Sequence, residues 1–451
     1  MSTTLIKQTQ TARQASTLLG ILSDQQRNQV LLAIAEQLRQ HTADIISENQ
    51  KDLEHAQTMV HEGKLSQSSY QRLILTPKKV EQMAQNMESV AKLSDPLGKI
   101  QMATMLDDGL ELYRVTYPIG VILIIFESRP EVMMQITALT LKSGNAAILK
   151  GGTEARYSNR ILYDLIQQVL KRFEYIPEGA VNLVQTREEI AELVQLSEWI
   201  DLIIPRGSNS LVQHIQAHSR VPVLAHADGI CHVFLDEYAE PQKSTSLVID
   251  AKTEYPAVCN AMETLLVHTG FSSATLASIL QKLQEANVEL RLCEATMNRL
   301  NLQELKPCVK ATTEDWQTEY TDLILSVKTV GSLQEAIDHI NLYGSKHTDC
   351  IVTENAENAE KFMNTVDSSS VFWNASTRFA DGFRYGFGAE VGISTSKTHA
   401  RGPVGLDGLV IYKYKLYGTG QCVATYNKGG KPYRHTTIDT TSSSWKFPSQ
   451  P

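Results

Sequence analysis

Six cysteines stand at positions 231, 259, 293, 308, 350 and 422, and one of them has a setting suited to a nucleophile. It lies in Glu254-Tyr255-Pro256-Ala257-Val258-Cys259-Asn260-Ala261-Met262. Proline fixes its own φ and has no N–H to lose, so Pro256 suits the first position of a helical turn. The spacing predicts that Pro256 opens a helix and that Cys259 lies in its first turn. Unpaired N–H groups and the positive end of a helix dipole would favour thiolate over thiol there, and the same amides would hold an oxyanion formed by attack on a carbonyl. Flanked by Ala257, Val258 and Ala261, the thiol equally suits a small buried side chain that only packs. No CxxC pair or short repeat occurs among the six, a pattern that fits reduced thiols in the cytoplasm.

Two stretches could receive an anion: Leu149-Lys150-Gly151-Gly152-Thr153-Glu154 and Pro205-Arg206-Gly207-Ser208-Asn209-Ser210. Each combines a cation, small residues and an expected helix N-terminus at the end of an expected strand, which is what phosphate or ribose binding needs. A plain strand-to-helix turn with a solvated cation has the same composition. A GxGxxG fingerprint follows none of the expected strands, and Gly386-Phe387-Gly388 continues as Ala389-Glu390-Val391-Gly392, which is the wrong spacing. A nucleotide would therefore bind in another way. Arg129, in Phe126-Glu127-Ser128-Arg129-Pro130, and Arg378, in Asn374 to Gly382, each put a guanidinium just after an expected strand. Arginine there suits bidentate binding of carboxylate or phosphate, or an ordinary surface ion pair. His226, Cys231 and His232 suggest a metal, but adjacent residues on a strand point to opposite faces, so no metal is expected. The sequence holds no HExxH, P-loop or GxSxG motif, which removes several hydrolase and kinase readings.

The elements that must position these groups belong to a long chain. At 451 residues it suits two or three domains, with 42% hydrophobic and 20% charged residues as in an ordinary soluble protein. A formal charge of −8 argues against nucleic acid or an anionic membrane as partner. Met1-Ser2-Thr3-Thr4 lacks the basic patch and apolar run of a secretory signal, and the most apolar run, Ile119 to Phe126, is too short to span a bilayer. A cytoplasmic protein is expected.

The first hundred residues read as helices, with a capping box at Ser23 and Gln26, an apolar face of Leu31, Ile34, Ala35 and Leu38, and a second start at Thr76-Pro77. Ile100 to Tyr117 switches to strand chemistry around Asp108-Gly109, a hairpin signal, and Leu110, Leu112 and Tyr113 along it need a surface that another subunit would supply. From Gly120 short apolar runs alternate with helical ones: strands at Val121–Phe126, Asn145–Lys150, Ala180–Val184, Asp201–Ile204 and Ile230–Leu235, with helices such as Glu154–Leu170 and Glu188–Leu196 between them. That alternation predicts a doubly wound parallel sheet. It resumes after Cys259 with strands at Thr264–Val267, Leu323–Val327, Ile351–Thr353 and Val371–Trp373, so two α/β units flank the cysteine. Leu409–Tyr417 reads as an edge or inter-subunit strand, and after Gly420 the composition drifts to Thr, Ser, Lys and Pro, predicting a tail that is partly disordered.

Several of these stretches together resemble the gamma-glutamyl phosphate reductases, a family of the aldehyde dehydrogenase superfamily. The likeness rests on Tyr117-Pro118-Ile119-Gly120-Val121 leading to Glu127-Ser128-Arg129-Pro130, on Leu141-Lys142-Ser143-Gly144-Asn145-Ala146, and on Lys150 to Ala155. It continues through Asp228-Gly229-Ile230-Cys231-His232, Tyr255 to Thr264, Asn374 to Gly382, Gly388 to Ser394 and His399 to Leu406, and covers the chain to about Gly420. The resemblance implies an α/β, aldehyde-dehydrogenase-like fold: an NADPH-binding domain (1–99 and 118–254), a catalytic domain (255–385), an oligomerisation arm (100–117 and 400–420) and a tail (421–451). It implies NADPH-dependent reduction of L-glutamyl 5-phosphate to L-glutamate 5-semialdehyde through a cysteine thioester, in proline biosynthesis. Cys259 takes the position of the nucleophile; Lys150, Gly151, Pro205, Arg206, Gly207 and Ser208 take cofactor-binding positions, with Glu319 on the nicotinamide ribose; Arg129, Asn260 and Arg378 take substrate-binding positions. A homo-oligomer, dimer or tetramer, is implied, and contact with a separate glutamate 5-kinase is left open. Where aldehyde oxidisers carry a glutamate that activates water, Leu224-Ala225-His226-Ala227-Asp228-Gly229 has none, which suits a reductase. The rival readings are an oxidising aldehyde dehydrogenase and a catalytically silent relative that binds a partner.

Overall fold

The computed structural model of the chain describes residues 3–184, 187–225, 228–301, 303, 305–397, 399–427 and 429–440. The chain forms two compact units, Met1–Ile204 with His218–Val223 and Gly405–Pro451, and Pro205–Ala217 with Leu224–Val404. Among the described residues no helix is long and apolar enough to cross a membrane.

The first unit opens with helices whose starts follow the cap chemistry. Ser23 accepts from the Gln26 amide while the Gln26 side chain accepts from the Ser23 amide, starting Asp24–Gln40, and Thr76 accepts from the Lys79 amide to start Pro77–Lys92. Strands β1 (Ile100–Asp107) and β2 (Leu110–Pro118) are joined by the Asp108-Gly109 turn, with Gly109 at φ +67°. Strands β3 (Val121–Phe126), β4 (Ala146–Gly151), β5 (Val181–Val184) and β6 (Leu202–Arg206) form a sheet in the order β5-β4-β3-β6. Every residue of β3 and β4 is buried, which explains why both read as continuous apolar runs and not as alternating ones. The chain enters β4 through Asn145, whose Oδ1 accepts from the Gly120 amide and whose Nδ2 donates to the Leu409 carbonyl, each at 2.8 Å.

The second unit is built on β7 (Cys231–Leu235), β8 (Met262–His268), β9 (Glu289–Leu292), β10 (Val309–Lys310), β11 (Ile324–Val330), β12 (Thr348–Val352) and β13 (Ser370–Trp373). They make one parallel sheet in the order β10-β9-β11-β8-β7-β12-β13. Side chains alternate between two cores: Val233, Leu235, Leu265 and Val267 join one, Phe234, Leu266 and Ile351 the other. Sequence order suggests β7 as the last strand of the first sheet, but its hydrogen-bonded neighbours are β8 and β12, so residues 224–254 pack with the cysteine's unit. A short antiparallel pair, β14 (Ile393–Ser394) and β15 (Gly402–Pro403), closes this stretch.

At Gly405 the chain returns to the first unit and builds out the hairpin. Strand β16 (Val410–Tyr417) runs antiparallel to β2 over eight residue pairs, and β17 (Thr436–Thr437) pairs with β1 on the far side. Between them residues 419–427 and 429–435 fold around the hairpin tip. Asp107, only 2% exposed, accepts from Tyr426 Oη at 2.8 Å and Lys431 Nζ at 2.5 Å, and the Arg434 amide donates to the Leu106 carbonyl at 2.8 Å. The Lys431 ammonium holds the Asp107 carboxyl down to about 2. Tyr426 stacks on Tyr433 and Tyr433 on His435, so part of the tail has a packing partner that its composition does not advertise.

Candidate active site

Cys259 lies on a turn, not on a helix. The helix Pro241–Thr253 ends before Glu254, the turn carries one backbone hydrogen bond from the Ala261 amide to the Val258 carbonyl, and β8 begins at Met262. The helix expected from Pro256 does not form, so the thiol has no helix N-terminus of its own. Half-buried Cys259 is seated instead by Gly229: a Cβ there would meet the Cys259 carbonyl oxygen at 2.2 Å, its Cα at 2.4 Å and its Cβ at 2.5 Å. Bare backbone must lie against the cysteine at that point. Cys231 Sγ donates to the same carbonyl at 3.2 Å, and the Ile230 amide donates to Ser345 Oγ at 2.8 Å, fixing the other side of the contact.

Both ends of the turn are tied down. Lys252 and Glu263, each fully buried, form an ion pair at 2.6 Å between the end of the helix and the start of β8. Burial raises the Glu263 carboxyl and lowers the Lys252 ammonium, so each depends on the other to stay charged. Glu263 also accepts from the Thr321 amide, and the nearby charge of Glu319, on the segment before β11, adds to its upward shift. The Asn260 side chain donates to the Ala380 carbonyl at 3.0 Å and the Arg378 carbonyl at 3.4 Å, while its Oδ1 is buried and has no partner among the described residues.

Arg378, 7% exposed, sends its guanidinium to Glu254: Nη2 and Nε lie 2.7 and 2.8 Å from Oε2, and Arg384 approaches Oε1 at 3.5 Å. The hydrogen bond from Arg378 is the main reason the Glu254 carboxyl sits below its ordinary value. Sequence reasoning passed over Glu254, Gly229 and Lys252, although the first and last flank the cysteine's turn and the Asp228-Gly229 pair marks a tight backbone. His226, one of the metal candidates, lies outside the described residues; Cys231 and His232 part company as expected, His232 Nδ1 meeting buried Asp349 at 2.8 Å.

In the first unit, the loop after β4 frames a cavity of about 220 Å³ lined by Gly151, Gly152, Thr153, Arg156, Asn159, Leu183 and Val184. Lys150 is buried as the penultimate residue of β4, and Arg129 follows β3, half-exposed, just before the helix Glu131–Lys142. A Cβ on either glycine would meet the far end of a side chain, 2.0 Å from Asn159 Nδ2 at Gly151 and 2.0 Å from Glu154 Oε1 at Gly152. Backbone bare of side chains, a cation at the strand end and an Asn159 Oδ1 without a partner among the described residues fit a nucleotide. The second stretch also falls between strand and helix as expected: Pro205 and Arg206 end β6, Gly207 and Ser208 turn, and Asn209–His218 follows. Arg206 lies against Gly392, 3.1 Å from where a Cβ would stand, and Asn209 donates to Asp228.

A model of the aldehyde dehydrogenase family matches residues 3–298. The chain is 50% identical over 429 residues to the gamma-glutamyl phosphate reductase of Methanosarcina mazei, covering 95% of this chain and 96% of that one. A crystal structure of the gamma-glutamyl phosphate reductase of Thermotoga maritima superposes with a TM-score of 0.87 at 40% identity, over 93% of this chain and 99% of the other. The fold alone is shared with a glyceraldehyde-3-phosphate dehydrogenase of Methanocaldococcus jannaschii complexed with NADP, at 15% identity and a TM-score of 0.63, over 92% and 94% of the two chains.

Proposed function

From the premise that the chain belongs to the aldehyde dehydrogenase family, among its gamma-glutamyl phosphate reductases, we propose that it reduces L-glutamyl 5-phosphate to L-glutamate 5-semialdehyde with NADPH, a step of proline biosynthesis. The observation that carries the reading is the Gly229 contact, which seats the Cys259 thiol on a stiff turn tied at both ends instead of leaving it in a core. Cys259 Sγ attacks the acyl carbon, the bond from that carbon to the phosphate oxygen breaks, and phosphate leaves with the electron pair, so a thioester forms on the cysteine. Lys150, Gly151, Pro205, Arg206, Gly207, Ser208 and Glu319 are the proposed cofactor contacts, and NADPH when bound supplies hydride to the thioester carbon. The resulting thiohemiacetal on Cys259 collapses to the aldehyde, and the sulfur leaves as thiolate.

What this chain withholds matters as much. Glu254 stands five residues before the nucleophile but is engaged by two guanidiniums that hold its carboxyl below the ordinary range, so it is a poor base for activating water. Glu263 is buried in its pair with Lys252. The thioester therefore waits for hydride in one direction and for phosphate in the other. Arg129, Arg378 and Asn260 are the proposed substrate contacts. The first unit is the proposed cofactor domain and the second the catalytic one, in a cytoplasmic homo-oligomer. Its contact would use β16, whose Ile411, Tyr412, Tyr414 and Leu416 are exposed. The test is the reverse reaction with glutamate semialdehyde and NADP⁺, with and without phosphate. NADP⁺ reduction is expected to depend on phosphate and to saturate with it; steady phosphate-independent oxidation would overturn the reading in favour of an oxidising aldehyde dehydrogenase.

A further inference from the structure

We propose that Glu263 is a positioning residue for the hydride step, its one buried carboxylate holding the turn of Cys259 and the segment of Glu319 as a single piece. The inference rests on the reading above, in which Glu319 meets the nicotinamide ribose, and adds to it a residue that acts through others. Strands β8 and β11 are parallel neighbours, with Ser326 beside Thr264, so the lead-in to β11 lies against the start of β8. Glu263, fully buried, stands at that start, just after the turn that carries the nucleophile. Its two oxygens go different ways. Oε2 accepts from Lys252 Nζ at 2.6 Å, on the helix that ends before the turn, and Oε1 accepts from the Thr321 amide at 3.3 Å. Glu319 is close behind Thr321 in the chain, near enough for its charge to push the Glu263 carboxyl further up.

The backbone of that segment shows what the carboxylate is for. Thr321 holds a φ of +53°, a left-handed conformation that a β-branched residue adopts only where its surroundings impose it, and Glu263 is what grips its amide. One residue earlier, Tyr320 Oη donates to Asp315 Oδ1 at 2.7 Å and lies 2.7 Å from Ser326 Oγ, so the two residues that follow Glu319 are both anchored. A buried ion pair is a poor means of gaining stability, since apolar side chains of the same volume often serve as well or better. Stability therefore does not account for Lys252 and Glu263, whereas a carboxylate shared by the two segments does. Hydride transfer needs both at once: the ribose contact sets where the nicotinamide lies, the turn sets where the thioester carbon lies, and a small misplacement of either slows the step.

Glu263→Gln by itself would leave the Lys252 ammonium buried without its counter-charge, so the test uses two double variants of the full chain, Lys252→Met with Glu263→Gln and Lys252→Met with Glu263→Met. Glutamine still offers an oxygen to the Thr321 amide; methionine does not. The readout is the single-turnover burst of NADPH from glutamate semialdehyde and NADP⁺ without phosphate, which isolates the hydride step, normalised to folded protein. The glutamine variant is expected to keep the burst rate within about threefold of wild type, and the methionine variant to lose about tenfold or more while half-saturation by semialdehyde moves by less than about twofold. A purely structural role predicts no such order, because methionine packs in an apolar site at least as well as glutamine. Glu319→Gln should cost about tenfold in the wild type and under about twofold in the methionine variant, since the contact is already misplaced there. Glu263→Asp, which keeps a counter-charge for Lys252 but is one methylene short of spanning both partners, serves if the methionine variant does not fold, and should slow the burst by about fivefold or more. Equal burst rates in the two double variants, an unchanged burst in Glu263→Asp, or a Glu319→Gln cost that is the same in both backgrounds overturns the inference while leaving the reductase reading intact; a wild type that gives no NADPH burst overturns both.

Discussion

The cavity beside Gly151 and the turn that carries Cys259 are built on the same device and finished differently. In each, a glycine lets backbone lie against a neighbouring residue, Asn159 in one case and Cys259 in the other. In the cavity, among the described residues, Arg156 pairs with no carboxylate and the Asn159 Oδ1 receives no donor. Around Cys259 two carboxylates are answered within the unit, Glu254 by Arg378 and Arg384, Glu263 by Lys252. An unmatched site draws its partner from outside and sets affinity, whereas a self-compensated one fixes geometry and leaves the reacting atoms to be chosen by position. The binding residues of such a molecule are therefore found by looking for unmet hydrogen bonds, and the reacting residue by looking for what holds it still.

The largest test of that contrast is Cys259→Ser. Turnover is expected to fall by at least about 10³-fold while nucleotide binding is unchanged, because the weaker nucleophile sits outside the cavity's own group of residues. Activity within about tenfold of wild type in a steady-state assay would sink the assignment.

Next comes a matched pair of glycine substitutions. At Gly229 the atoms in the way are the backbone and Cβ of Cys259, which cannot move without moving the turn; at Gly152 they belong to the far end of the Glu154 side chain, which can swing. Gly229→Ala is expected to cost about 2–3 kcal/mol in chemical denaturation, together with most of kcat, and Gly152→Ala about 1 kcal/mol with kcat kept. Equal costs would mean that the two glycines do not differ as argued.

The smallest effect concerns the compensated charges. The Arg378 hydrogen bond depresses the Glu254 carboxyl, so its contribution to stability is present above the ordinary carboxylate range and is lost as pH falls through the folded-state value. With its side chain 44% exposed, the contribution is at most about 1 kcal/mol after screening. Melting curves of wild type and Glu254→Gln should differ most near neutral pH and converge as pH falls below about 4. A gap that stays constant across that range would show that the pair acts by packing alone.

Much of the frame is legible in the sequence because local chemistry decides it. The β3 prediction matches residue for residue, since a β-branched run between turn signals has one stable home, and Thr76 caps its helix through the Lys79 amide as Thr76-Pro77 predicts. Strands β9 and β10 go unread: Glu289 and Arg291 interrupt the pattern of the first, and both residues of the second are exposed. The setting of Cys259 is misread for a different reason. Pro256 is a fair helix opener locally, but the conformation is decided by Gly229, thirty residues upstream, and by a strand that starts at Met262. Likewise β7 joins β8 and β12 through a strand order that no local pattern encodes.

The clasp of the tail on the hairpin has a consequence for synthesis. Tyr426 and Lys431 meet Asp107 across 319 and 324 residues of chain, and β17 pairs with β1 at a similar separation. A ribosome releases the hairpin long before the residues that cover its outer edge exist. At roughly 5–20 residues per second, that edge stays open for tens of seconds on every nascent chain. Through that interval Asp107 has no cation from Lys431 beside it, and its charge on the strand is the kind of feature that discourages a second strand from adding there. The same carboxylate thus guards the edge of the growing chain and anchors the segment that finally closes it.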